Sequence, residues 1–161
     1  MARSNPVEVK KKFFTLEEAN KALPLVKAIV SDVVKQFESV HRLRERLAGV
    51  QSERESDPRR EPRPRPQNDP YTEELAHSLG ELESEEEKLG NYIDELNKLG
   101  VELKSLEGLC DFPSMMDGRE VYLCWRLGEP AVEHWHEVND GFAGRQPISS
   151  PIAALSSRGG H

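Results

Sequence analysis

The chain has 161 residues, 36% hydrophobic and 32% charged, so a single domain can bury a real core while much of its length stays solvated. No apolar run approaches a membrane span and the first dozen residues carry no apolar signal core, so a cytoplasmic protein with no membrane partner is expected. The net charge of -7 is concentrated: residues 71–100 hold nine acids against Lys88 and Lys98, a face that repels phosphates and argues against a nucleic-acid partner.

Residues 1–12 read as a flexible N-terminal segment. The first element opens at Phe14-Thr15-Leu16-Glu17-Glu18, where Thr15 and Glu18 form a capping box and Phe14 is placed for a hydrophobic staple. Apolar residues then recur at Leu16, Ala19, Leu23, Val26, Val30, Val33, Phe37, Val40 and Leu47, the seam of a packed helix over residues 15–48. Pro24 lacks an amide proton and clashes with the Asn20 carbonyl, so a kink or break is expected there. Five prolines among arginines and acids make residues 52–70 a long loop. Helicity resumes after Asp69-Pro70, a cap followed by a residue suited to the first turn, and Leu75, Leu79, Leu82, Leu89, Ile93 and Leu96 continue a seam over residues 71–99 that ends at Gly100. Two matched seams with one connection predict an antiparallel helical hairpin.

Beyond Gly100 the period changes. Residues 101–106 are ambiguous, whereas 109–116, 119–126 and 131–138 read as strands, with Asp117-Gly118 a two-residue type I′ turn and residues 127–130 a second turn. The expected fold is α+β: a helical hairpin packed on a three-stranded antiparallel meander, one domain over residues 13–148, followed by a flexible Ser/Gly-rich tail at 149–161. Apolar seams that such a domain leaves uncovered predict a homodimer through the helices.

Chemistry-bearing residues crowd into 111–147. A turn at Asp117-Gly118 pairs Asp111 with Cys124 and places Asp111, Met115, Glu120, Tyr122, Cys124 and Arg126 on one face. Cys110, Phe112, Met116, Val121, Leu123 and Trp125 then form the core face. His134 and His136, two apart on a strand, share a face and can chelate one metal. A four-residue second turn turns them toward the helices; one residue fewer puts them beside Cys124 and Glu120. The metal candidates are therefore His134, His136, Cys124, Glu120 and Asp111, with His41 and His77 as further donors, and the ion a divalent transition metal such as zinc or iron. The competing reading makes the two histidines hydrogen-bonded structural residues bracketing Trp135. Cys110 and Cys124 are expected as thiols or ligands and not as a bridge. Arg126, Arg145, Trp125 and Trp135 are candidates for anion or small-ligand binding, Arg145 through the glycine-hinged segment G-F-A-G-R-Q-P at 141–147.

The motifs F-T-L-E-E-A-N-K-A-L-P-L-V at 14–26, G-V-E-L-K-S-L-E-G-L-C-D-F-P at 100–113, G-R-E-V-Y-L-C-W-R-L-G-E at 118–129, H-W-H-E at 134–137 and G-F-A-G-R-Q-P occur in order. Together they resemble an uncharacterised prokaryotic family, domain of unknown function 2203, over about residues 13–37 and 90–148. The resemblance implies kinship of fold and a small intracellular protein, and supplies no reaction and no catalytic residue. Two functions remain open: a metal or small-ligand site on the meander, with or without enzymatic activity, and an assembly or scaffold role for the helical hairpin.

Overall fold

The computed structural model describes residues 11–55 and 70–148. The N-terminal segment, the proline-rich loop with its Asp69 cap, and the C-terminal tail fall wholly or mostly outside the described residues.

The first helix, α1, spans Leu16–Glu55 and starts as its sequence dictates. The Thr15 amide donates to Glu18 Oε1 at 2.9 Å, the Glu18 amide donates to Thr15 Oγ1 at 3.0 Å, and Phe14 packs in the same cluster as Ala19. The helix passes Pro24 without a break. A proline inside a helix costs about 3 kcal/mol; the buried stripe of Leu23, Val26, Ile29, Val30 and Val33 beyond it offsets that cost. The second helix, α2, spans Pro70–Lys98 and ends at Gly100, whose φ of 89° suits a glycine cap. Gly100 lies against Phe14 just ahead of α1, while mid-helix Gln36 donates to the Glu85 carbonyl at 2.9 Å, so the two helices run antiparallel. Of the expected α2 seam only Leu96 is buried, and Leu79 is 46% exposed. No helix of the described residues is long and apolar enough to cross a membrane.

Five strands, not the expected three, form the antiparallel sheet, in the order of the chain: β1 Glu102–Ser105, β2 Leu109–Met116, β3 Arg119–Arg126, β4 His134–Glu137 and β5 Gln146–Pro147. The two additions are edge strands of four and two residues, too short for a two-residue alternation to stand out from a loop. The open backbones of β2 and β4 recruit them. The expected strand at 131–138 contracts to His134–Glu137.

The turn at Asp117-Gly118 forms as expected, with φ of 52° and 79°, and pairs Met116 with Arg119, Phe112 with Leu123 and Asp111 with Cys124. The second connection is longer than expected. Pairing of Cys124 with His134 and Tyr122 with His136 puts both histidines on the Cys124 face, the outcome expected of a shorter loop, reached here through a longer one of the same parity. Asn20 of α1 fixes that connection: its Oδ1 accepts from the Val132 amide at 2.8 Å and its Nδ2 donates to the Val132 carbonyl at 3.2 Å.

The inner face of the sheet meets the helices. Cys110, Phe112, Leu123 and Trp125 join Phe14, Ala19, Leu23, Val26, Val30, Val33 and Leu96 in one core, each large side chain contributing about 1.5–3 kcal/mol by burial. A second tie holds α1 to β2, where the Phe14 amide donates to the Pro113 carbonyl at 2.7 Å and Ser114 Oγ donates to the Phe14 carbonyl at 2.6 Å.

Candidate metal centre on the outer face of the sheet

Alternation puts Glu102, Asp111, Cys124 and His134 in one cross-strand row on the outer face, with Tyr122 and His136 in the next. Strands lie about 4.8 Å apart, so His136 on β4 must lie across β3 to touch β2. It does so: His136 Nε2 is 3.0 Å from Asp111 Oδ1. The Tyr122 ring lies beside the imidazole with centroids 5.5 Å apart. The result is a polar cluster on the outer face in which Asp111, Cys124 and His136 are all buried. One donor atom from each of the three lies within 4.8 Å of the others, so this group can hold a metal ion.

The proton arrangement is constrained. His136 Nδ1 is 2.7 Å from the Glu137 carbonyl, which can only accept, so Nδ1 carries a hydrogen and Nε2 is the atom facing Asp111. A nitrogen lone pair facing a carboxylate requires a proton or a cation between them. Burial pushes the Asp111 carboxyl above the ordinary range, an effect that His136 and Lys104 offset only in part. Burial also pushes the Cys124 thiol up to about 12, with the negative charge of Asp111 adding to the rise and Arg145 opposing it. A protonated Cys124 in these surroundings is a poor nucleophile, whereas a coordinated cation would deprotonate it.

A charged frame surrounds the cluster. Tyr122 Oη donates to the Glu102 carboxylate at 3.2 Å, Lys104 donates to Glu102 at 2.8 Å, and Lys104 and Lys11 lie 5.1 and 5.4 Å from the centre of the Tyr122 ring. On the opposite flank Glu129 receives Arg145 on both oxygens at 2.9 Å and the Arg126 amide at 2.8 Å. Burial alone would raise the Glu129 carboxyl; those hydrogen bonds and the Arg145 charge outweigh it and hold the group below the usual range.

Of the five expected metal donors, the fold brings together Asp111, Cys124 and His136. His134 stands beside Cys124, with Nδ1 buried, lacking a hydrogen bond and 3.8 Å from Glu129 Oε2. Glu120 is drawn to Lys11 at 2.5 Å. His41 pairs with Glu45 along α1, and neither it nor exposed His77 belongs to the cluster. The four residues expected to bind anions or ligands divide between the faces. Trp125 is fully buried in the core with Nε1 donating to the Glu129 carbonyl at 3.0 Å, and Trp135 packs against the same core, 5.9 Å from the Arg119 guanidinium. Arg126 and Arg145 lie with Phe142, at 5.9 and 4.8 Å from its ring. Tyr122, Glu102, Lys104 and Glu129 went unassigned in the sequence; alternation already sets Tyr122 on the Cys124 face, but no spacing links Glu129 to an arginine 16 residues on.

A small α+β protein with a buried Asp-Cys-His cluster on the free face of its sheet is thus the class defined by fold and geometry. Over residues 12–148 the chain matches the family described as Uncharacterized conserved protein (DUF2203), and it belongs to that family. Comparison with curated proteins and with solved structures gives no match.

Proposed function

We propose that the protein binds a divalent transition metal ion through Asp111 Oδ1, Cys124 Sγ and His136 Nε2, and that this centre is the seat of its activity. The observation that carries the reading is the orientation of His136. Its Nδ1–H is tied to the Glu137 carbonyl and its Nε2 is directed at Asp111, the arrangement in which an outer partner fixes the tautomer of a metal-ligating histidine. Carboxylate, thiolate and imidazole together suit zinc; the set lacks the second histidine of the common non-haem iron site, and a thiolate does not suit calcium or magnesium. Two anionic ligands balance a divalent charge, which resolves the burial of Asp111 and Cys124. Three protein ligands leave one position open, the pattern of catalytic zinc, where the ion polarises a substrate oxygen or lowers the pKa of bound water.

Elemental analysis of untagged protein dialysed against zinc tests the reading. Stoichiometric metal is expected in the wild type and in Cys110→Ser, with loss in Cys124→Ser and His136→Ala. Cobalt should give a thiolate charge-transfer band that disappears in Cys124→Ser alone of the two cysteine variants. Metal content unaffected by either Cys124→Ser or His136→Ala would refute the site.

A further inference from the structure

Among the described residues three buried side-chain polar atoms lack a hydrogen-bond partner: Thr72 Oγ1 on α2, His134 Nδ1 and Arg145 Nε. The last two converge. Both side chains border the Glu129 carboxylate, Arg145 through one nitrogen at 2.9 Å and His134 Nδ1 at 3.8 Å. His134 is also the direct cross-strand partner of Cys124 in the Asp111–Cys124–His136 cluster. The pairing of Pro147 with His134 and Gln146 with Trp135 carries Arg145 alongside β4 on the outer face.

We infer that His134 Nδ1 and Arg145 Nε form an oxyanion subsite beside the metal, and that the ligand taken there is a small molecule bearing a carboxylate or a phosphoryl group. The inference rests on the metal reading for the ligand's second anchor. Two buried nitrogens without a protein partner at one place call for an acceptor: Arg145 Nε can only donate, and His134 Nδ1 donates in the tautomer that carries its hydrogen there. An oxyanion has enough lone pairs to accept from both nitrogens and to occupy the open metal position. Glu129 takes both of its bonds from Arg145 Nη2, which leaves Nε without a protein acceptor. Gly141, at φ 65° and ψ -165°, takes a conformation open to glycine, and a Cβ at Gly144 would meet Asp140 at 2.5 Å. The Phe142 ring, 4.8 Å from the Arg145 guanidinium, then lies where it can hold that group in place.

The test is a visible-spectrum titration of the cobalt-loaded full chain with acetate and, separately, with methylphosphonate. A saturable change of the cobalt d–d bands with either anion is expected, and the more tightly bound one identifies the group. Arg145→Gln and His134→Ala should each weaken that response by about tenfold or more, the effect of losing a charged hydrogen bond, while the Cys124–cobalt charge-transfer band persists. That band, with circular dichroism, reports whether each variant remains folded, and His134→Ala serves should Arg145→Gln not fold. No response to either anion in a protein that shows the band, or folded variants that respond as the wild type does, overturns the inference. Absence of the band in the wild type defeats the metal reading instead; the anions are then titrated into metal-free protein by imidazole NMR, where a saturable His134 shift lost in Arg145→Gln supports the subsite and no shift overturns it.

Discussion

Cys110 and Cys124 sit on neighbouring strands, both fully buried, both with thiols that burial pushes up to about 12, yet they face opposite ways. Cys110 looks toward the helices among Phe112, Leu123 and Trp125, where a thiol acts as a small hydrophobe. Cys124 looks outward to a carboxylate, an imidazole and an arginine, where burial is unfavourable to almost every group present. The difference separates two reasons for burial. The inner face is buried because burial stabilises the fold, and the outer cluster is buried although burial opposes it, the property on which the proposed metal site rests.

The largest effect should come from the inner face. Trp125→Ala removes a fully buried indole from the centre of the core and should destabilise the protein by about 3–5 kcal/mol in urea unfolding followed by circular dichroism. A loss below about 1 kcal/mol would mean that the sheet–helix layer is not the folding core. On the outer face the sign should reverse. The folded Asp111 carboxyl is raised above its unfolded value, so burying its charged form opposes folding at neutral pH, and the opposition disappears as pH falls through the folded value. Asp111→Asn is nearly isosteric and its amide can donate to His136 Nε2. It should therefore raise the stability of metal-free protein while abolishing metal binding. A destabilised Asp111→Asn protein would erase the contrast between the faces.

The smallest effect concerns Glu129 and sharpens the comparison within the outer face itself. Its carboxyl is depressed, so the sign is opposite to that of Asp111: the contribution is fully present above the ordinary glutamate range and is lost as pH falls through the folded value. With its side chain 24% exposed, the expected contribution is below about 1 kcal/mol. As pH falls below the ordinary glutamate range, hydrogen exchange should show the segment around Phe142 and Arg145 loosening before the helices do, and Glu129→Gln should loosen it already at neutral pH. Simultaneous opening of helices and segment would show that the Glu129–Arg145 clamp is not a separate unit.

Much of this was readable along the chain. Thr15 and Glu18 cap α1, the α1 seam supplies most of the buried stripe, with Ile29 added and Leu16 and Phe37 only half-buried, and Asp117-Gly118 sets the β2–β3 register with Asp111 opposite Cys124. Each depends on neighbours within a few residues, whose effect is local: a cap needs its amide and a type I′ turn needs positive φ. Asp111 and Cys124 were paired among the named donors for the same reason, since alternation along a strand assigns faces once a turn is known, while His136 was named only for its spacing from His134.

What local sequence left open was settled by distant partners. The face of His134 and His136 depended on the parity of a connection that Asn20 of α1 anchors through the Val132 backbone, 112 residues away. The selection of His136 over His134 and Glu120 came from reach across β3 and from competition: Lys11 draws Glu120 away, while Asp111 lies within reach of His136. Strands β1 and β5 exist because β2 and β4 offer open edges, and the half-buried clamp of Glu129 with Arg145 joins residues that no short-range pattern relates. Sequence alone determined the two helices, the β2–β3 hairpin with its register and the pool of donors, because backbone preference and two-residue alternation act over a turn or a strand. Tertiary structure alone decided which donors meet and which polar groups are sealed from water, because proximity and desolvation are properties of the packed chain and not of any segment of it.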